Sequence, residues 1–319
     1  MRLRAALLVA LVVAGATACG GGDDDSAAPA TDSVATSVAA APSTAPSPPP
    51  STDGPRVERI IPVNGDLAEV VYALGLGDEV VATDISATYP AAAQATPKIG
   101  YQRALVAETI LSFEPTVVLA DDNAGPPEVL DQVQSAGVRV VDLPHQSTLE
   151  SVSEKIRAVA DALAVPARGE ELVATFEDEL DEATTRADAA VATSGRPKVL
   201  ALYLRGTNVQ LVFGEGSGID AVIAAAGGTD LGTEMGVVDN AELSTEAIVA
   251  AAPDILLVTT TGLDSVGGVD GLLAIPGIDQ TPAAANRQVV AFEDQYLYGL
   301  GPRTGQLVGE LVDAFHPAT

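Results

Sequence analysis

Two segments of this chain share one pattern, a short helix followed by a buried strand. In each segment a glutamate lies near the start of a helical stretch, a proline follows, and a run of apolar residues comes next; the segments are residues 107–120 and 245–258. An unbroken apolar run is typical of a parallel strand that helices cover on both faces. The repeat therefore predicts two similar lobes, and a cleft between lobes is a common ligand site.

The chain between and around these segments continues the alternation of strands and helices. Apolar runs suited to strands include residues 59–63, 80–83, 138–141 and 199–203. This order predicts an α/β protein with parallel central sheets. In the first lobe Asp66 is predicted to cap a helix over 67–74.

One uninterrupted helical pattern separates the two lobes. Residues 167–194 keep apolar side chains at helical spacing, with an acidic opposite face. We predict a single long helix here, which joins an N-terminal lobe of residues 56–166 to a C-terminal lobe of residues 195–319. The second lobe is expected to mirror the first in order and length.

The N-terminus has the features of an export signal. Arg2 and Arg4 precede an apolar stretch, which ends in small residues before Cys19, the single cysteine. This ending resembles a bacterial lipobox, so residues 1–19 are predicted to be a lipoprotein signal peptide with Cys19 as the lipidated residue. The alternative is an ordinary secretory signal with an incidental cysteine. Residues 20–55 are rich in Ala, Ser, Thr and Pro, which predicts a disordered tether, and glycosylation of this tether stays open.

Composition argues against several classes of function. A formal net charge of −28 makes nucleic acid a poor partner, whereas a basic protein surface would be attracted. Only two histidines are present, which disfavours a zinc or manganese site built from several of them. The sequence has no nucleophile-elbow, phosphate-loop or dinucleotide-binding motif, so we expect a protein that is not an enzyme and has no catalytic cofactor.

Several motifs together carry a family resemblance. Residues 65–71 and 74–75 resemble the opening helix of the class III substrate-binding lipoproteins, which serve ABC importers of haem, siderophores and cobalamin. Residues 100–105, 125–127 and 299–304 look more like the haem-binding branch. The resemblance implies two lobes that one long helix joins and that move little on ligand binding, with haem carried as transported ligand. A ferric-siderophore or cobalamin binder of the same fold is the alternative.

The resemblance also implies partners and a location. Family members place one glutamate on each lobe against basic pockets of the permease subunits, and Glu108 and Glu246 hold those positions here. The expected partners are a permease dimer with its ATPase subunits, and the membrane only through the lipid anchor. The protein is accordingly expected on the outer face of the cytoplasmic membrane. Each glutamate could instead be a helix N-terminal acid that favours the helix dipole.

A Tyr-x-Arg motif occurs once in each lobe, as Tyr101 with Arg103 and as Tyr203 with Arg205. A phenolate is a good ligand for ferric iron, and a nearby guanidinium favours the ionised phenol. In an extended chain, residues two apart point to the same side, which would bring each arginine beside its tyrosine. The haem-binding family takes one axial ligand from each lobe in these regions, so Tyr101 and Tyr203 are the predicted iron ligands, with Arg103 and Arg205 in support.

Two further residues are candidates for the ligand. His145 follows the fourth predicted strand, where α/β proteins often bind ligands, and it competes with Tyr203 as the second axial ligand. It could equally be a solvated loop residue. Arg303 is a candidate partner for a haem propionate.

Overall fold

The computed structural model describes residues 59–143, 147–242 and 244–317. The predictions for the signal peptide, for Cys19, for the tether and for His145 lie outside these residues. Within the described ranges, no helix is both long and apolar enough to cross a lipid bilayer.

The first lobe has a three-stranded parallel sheet in the order β1-β2-β3. Its strands are β1 (Ile60–Pro62), β2 (Val117–Asp121) and β3 (Arg139–Leu143). Its helices are α1 (Gly65–Ala73), α2 (Ala91–Ala95), α3 (Ala107–Leu111), α4 (Pro127–Ser135) and α5 (Glu150–Ala162), with 3₁₀ turns at Gly77–Glu79 and Gln102–Ala104. All five residues of β2 are buried, as its apolar sequence predicted.

Two details of the first lobe differ from the sequence prediction. The cap of α1 is Asn64, whose side chain accepts a hydrogen bond from the N–H of Leu67, whereas Asp66 lies inside the first turn and pairs with Lys155. Residues 80–83 form only isolated bridges, one to β1 and one to Lys98, instead of a strand. Their backbone groups divide between two neighbours, since Val81 donates to Ile60 while Thr83 pairs with residues 97 and 99.

A long helix, α6 (Pro166–Ser194), follows the first lobe, and its 29 residues span about 44 Å. It confirms the predicted connection between the lobes. Pro166 occupies the first turn, where its missing N–H costs nothing, and Gly195 ends the helix at φ 77°. One hydrophobic cluster extends through Val70 of the first lobe, Phe176 of α6 and Leu307 of the second lobe. The connector is therefore part of the core of both lobes.

The second lobe has a six-stranded mixed sheet in the order β7-β5-β4-β8-β9, with β6 also paired to β4. Its strands are β4 (Lys198–Arg205), β5 (Val209–Phe213), β6 (Thr229–Asp230), β7 (Asn240–Glu242), β8 (Ile255–Thr259) and β9 (Val289–Phe292). Its helices are α7 (Ile219–Ala225), α8 (Leu231–Glu234), α9 (Thr245–Ala251), α10 (Thr260–Ser265), α11 (Gly268–Leu273), α12 (Pro282–Asn286), α13 (Asp294–Tyr298) and α14 (Thr304–Phe315), with a 3₁₀ turn at Ile278–Gln280.

The second lobe does not mirror the first in full. Strands β4, β6, β8 and β9 are parallel, as predicted, but β5 and β7 add antiparallel pairs at one side. Gly206, at φ 61°, begins the short turn that folds β5 back on β4. This hairpin matters for the site because it places Phe213 of β5 near Tyr203 of β4.

Candidate functional site

A cleft of about 970 Å³ lies between the two lobes. The first lobe contributes the residues around the start of α1, the segment 85–88, and the turn at 101–103. The second lobe contributes the ends of β4 and β5, the segment 216–219, and helix α13. Tyr101 and Tyr203 both line this cleft, one from each lobe.

The first-lobe wall presents apolar and aromatic surface to the cleft. Ile85 is 55% exposed and Tyr101 is 47% exposed, although both are large and largely apolar. The N–H of Ile85 donates to the carbonyl of Gly100 at 3.0 Å, which holds the two residues in adjacent segments. Large apolar side chains left open in a cleft are typical of a surface that a ligand covers.

Arg103 does not lie as the Tyr-x-Arg motif predicted. Gln102–Ala104 form a 3₁₀ turn instead of an extended segment, so Tyr101 and Arg103 do not share one side. The Arg103 guanidinium donates to Oδ1 of Asn123 at 3.0 Å, and its side chain is exposed at the cleft.

The second-lobe wall is an aromatic cluster around Tyr203. The ring of Tyr203 lies 6.0 Å from Phe213 and 6.1 Å from Tyr298, centroid to centroid. The Tyr298 hydroxyl donates to the carbonyl of Leu202 at 3.0 Å, and burial raises its pKa above the ordinary value. Tyr298 therefore stays a neutral hydrogen-bond donor that supports the wall.

Arg205 lies beside Tyr203, as the alternation of side chains along a strand predicts. Its guanidinium carbon is 4.3 Å from the centroid of the Tyr203 ring, so the contact is with the face of the ring. The same guanidinium donates to Oδ1 of Asp294 at 2.6 Å and to the carbonyl of Leu204 at 2.8 Å. Arg205 thus holds a positive charge against Tyr203 while its own donors tie β4 to α13.

Arg303 is not among the described residues that line the cleft. Its guanidinium donates twice to Glu69, at 2.8 and 2.9 Å, and stacks 3.5 Å from the centroid of the Tyr89 ring. Because Glu69 takes up its donors away from the cleft, we no longer assign Arg303 to a ligand propionate.

The cleft also contains polar residues that sequence reasoning did not find. Asp121 accepts a hydrogen bond from Nδ2 of Asn64 at 2.7 Å, and Gln295 of α13 reaches across to the first lobe. Within the described ranges, Oε1 of Gln102 and Oγ of Ser217 are buried without a hydrogen-bond partner, and both residues line the cleft. No sequence signal marks Asn64, Asp121 or Gln295, because each contacts a residue far away in the chain.

The described residues contain no group of three or more His, Cys, Asp or Glu side chains suited to a bare metal ion. The cleft lining has phenols on both walls, Tyr101 on the first and Tyr203 with Tyr298 on the second, together with carboxylates such as Asp121 and Asp294.

Glu108 and Glu246 are both exposed, and each lies in the first turn of its helix, α3 or α9. Each helix directly precedes a fully buried central strand, β2 or β8. The two glutamates therefore occupy equivalent positions in the two lobes, as the repeat predicted.

A buried carboxyl group lies directly behind the first-lobe wall. Asp84 has no exposed surface, and its Oδ1 accepts a hydrogen bond from Oγ of Ser86 at 2.8 Å. Burial raises the pKa of Asp84 from 3.8 to about 6, against the opposing effects of the Ser86 hydrogen bonds and the charge of Lys98. The folded state therefore binds this proton more tightly than the unfolded chain.

This proton makes stability depend on pH. Its contribution is full below about pH 4 and is lost as the pH rises through about 6, on the order of 3 kcal/mol in all. Asp84→Asn removes the titration, so the free energy of unfolding of the variant relative to the unmodified protein should increase by that order between pH 4 and 7. Denaturant unfolding at several pH values measures it, with exposed Asp178→Asn as control. A difference that stays constant with pH would contradict this prediction.

The sequence and fold of this chain are similar to those of known binding proteins. A family model described as periplasmic binding protein matches residues 60–296. The solved periplasmic heme-binding protein RhuT from Roseiflexus sp. RS-1, in apo form, is 49% identical with a TM-score of 0.79, and the match covers 82% of this chain and 98% of that one. The heme binding protein HmuT is 34% identical with a TM-score of 0.76, covering 82% and 85%.

Two further findings bear on the ligand. Solved structures of HmuT include alanine variants of one histidine, one tyrosine and the arginine two residues after that tyrosine. By sequence, a cobalamin-binding protein of Halobacterium salinarum is 28% identical over 268 residues, which is 82% of this chain and 70% of that protein. The family model covers most of the chain and the fold agrees with that of RhuT over almost its whole length. This chain belongs to the periplasmic binding protein family, whose members are substrate-binding proteins that deliver ligands to ABC permeases.

Proposed function

We propose that this protein captures haem outside the cytoplasm and delivers it to an ABC importer. The observation that carries the proposal is that Tyr101 and Tyr203 line one cleft from opposite lobes. Two phenol oxygens facing a shared space can occupy the two axial positions of a ferric porphyrin. His145 remains the alternative second ligand, since the nearby Ser147 also lines the cleft.

The surfaces beside the two phenols suit the faces of a porphyrin. Ile85 on the first wall and Phe213 with Tyr298 on the second wall offer apolar contact. Burial of such surface contributes roughly 25 cal/mol per Å², so a large flat macrocycle gains much of its affinity here. Haem-binding relatives with the same fold support this assignment.

The arginines of the cleft have separate roles in this proposal. Arg205 stacks on the face of the Tyr203 ring and so holds the phenol in its orientation. The Tyr203–Arg205 spacing equals that of the tyrosine and arginine replaced in HmuT. Arg103 has one described hydrogen bond and is otherwise open to the cleft, so we assign it to a propionate of the ligand.

Cobalamin is the second candidate, because the Halobacterium salinarum relative is a cobalamin-binding protein and matches most of this chain. Cobalamin brings its own axial ligands to cobalt and has no need of two protein phenols. Titration of the purified apoprotein separates the two candidates. We expect haemin to produce a saturable Soret band and cyanocobalamin to produce no saturable change. Tight cobalamin binding with no haemin spectrum would reverse the assignment.

The proposal includes the route to the membrane. Lipidation of Cys19 and the segment of residues 20–55 would anchor the lobes to the outer face of the cytoplasmic membrane. Glu108 and Glu246 would then dock on the permease dimer, whose ATPase subunits drive import.

A further inference from the structure

Helix α13 of the second lobe is bound directly to the first lobe through Gln295. The Gln295 side chain is 8% exposed, and its Oε1 accepts hydrogen bonds from the N–H groups of Thr88 at 2.7 Å and Tyr89 at 2.9 Å. Its Nε2 donates to the carbonyl of Gly65 at 2.8 Å and to Glu69 at 3.0 Å. Both the oxygen and the nitrogen of the carboxamide are thus hydrogen-bonded to the first lobe.

The same helix supports Tyr203 in two ways, once through Arg205 and once by direct contact. Asp294, the residue before Gln295, pairs with Arg205, which stacks on the Tyr203 ring. Tyr298, one turn later, packs against that ring and donates to the carbonyl of Leu202, the residue before Tyr203. A displacement of α13 therefore displaces the contacts of Tyr203.

We propose that Gln295 is a positioning residue that fixes the distance between the Tyr203 wall and the first-lobe wall. The inference rests on the proposed function, since it gives this distance a role in binding iron from both sides. Glutamine is suited to the position because the site demands an acceptor for two N–H groups and a donor for a carbonyl. Glutamate would lose the donor and place a charge beside Glu69.

Loss of the carboxamide leaves the N–H groups of Thr88 and Tyr89 unpaired at the edge of the cleft and removes the direct bonds from α13 to Gly65 and Glu69. The position of α13, and with it that of Tyr203, is then set less precisely, so the two phenols meet one haem with poorer geometry. Changes to residues that orient metal ligands typically reduce affinity by about 10–100-fold. We expect a loss of this size for haemin with Gln295→Ala.

The test is a double-mutant cycle with haemin. Gln295→Ala should lower affinity by about 10–100-fold and shift the visible bands of the haem complex. In a Tyr203→Phe background the same change should lower affinity by less than about 3-fold, because the group being positioned is already absent. The exposed Gln280→Ala is the matched control and should leave affinity and spectrum unchanged.

Equal losses in the two backgrounds would overturn the inference, because they would show a general structural effect, and so would an unchanged spectrum and affinity. Gln295→Met, which keeps the side-chain volume, is measured in the same cycle so that the outcome does not depend on the folding of one variant. Absence of haemin binding by the unmodified protein would instead overturn the proposed function.

Discussion

Replacing Tyr101 and Tyr203 together with phenylalanine is expected to reduce haemin affinity by at least about 100-fold, or about 2.7 kcal/mol. Phenylalanine keeps the ring and its packing against Phe213 and Tyr298, so the change isolates the phenol oxygens. With neither oxygen present, both proposed axial ligands are lost. Apolar contact with the porphyrin would remain, which leaves weak binding with the spectrum of unligated haemin.

Absorption spectroscopy during haemin titration measures both affinity and ligation. Each single variant should lose one ligand and give a spectrum different from that of the other variant, because Tyr203 has Arg205 on its ring whereas Tyr101 does not share a side with Arg103. Tyr72→Phe is the matched control, since that hydroxyl bonds to Thr96 and the residue is not among those lining the cleft. Unchanged binding by the double variant would rule out ligation by these tyrosines.

Reversing the charge of both Glu108 and Glu246, to lysine, is expected to abolish transport while haemin affinity stays within about 2-fold. Both side chains are exposed on the first turns of equivalent helices and neither lines the cleft. Loss of a charge pair that becomes buried on docking costs about 2–5 kcal/mol, so uptake should fall by more than 10-fold. Each single reversal should give an intermediate effect, because the other lobe can still dock.

Uptake of haemin by cells, or into vesicles that carry the importer, measures the effect, and titration of the purified variant checks binding. A double reversal on α6, Glu171→Lys with Asp178→Lys, makes the same change in net charge at other exposed acids. If this control lowers uptake as much as the reversal at Glu108 and Glu246, the effect comes from net charge and the docking assignment fails.

The fold could be predicted where the sequence pattern of a single segment is enough to define a helix or a strand. Helix α6 was readable because apolar side chains keep helical spacing over its whole length, between Pro166 and Gly195. Strands β2 and β8 could be predicted because each has an apolar run, and every residue in both strands is buried. Residues 80–83 have a similar apolar character but form isolated bridges, since composition does not reveal which neighbouring backbone groups are free to pair.

That Tyr101 and Tyr203 lie in one cleft could be predicted, whereas the contacts around them could not. Tyr101 and Tyr203 stood out because the same short Tyr-x-Arg motif occurs once in each lobe. The predicted local conformation at Arg103 was wrong. Residues two apart point to the same side in a strand but to different sides in a 3₁₀ turn. Gln295 gave no signal, since it bonds to a carbonyl 230 positions away. Only the folded chain brings such partners together.

The core that α6 shares with both lobes has a consequence for how an importer distinguishes ligand-bound from ligand-free protein. Because α6 shares one core with both lobes and Gln295 links them directly, we expect the lobes to move little relative to each other, so that Glu108 and Glu246 keep nearly the same separation with and without ligand. An importer that recognised only the separation of these two glutamates would bind the ligand-free protein as well as the ligand-bound protein. The importer would then have to recognise the bound ligand itself at the opening of the cleft. An excess of ligand-free protein would inhibit uptake competitively.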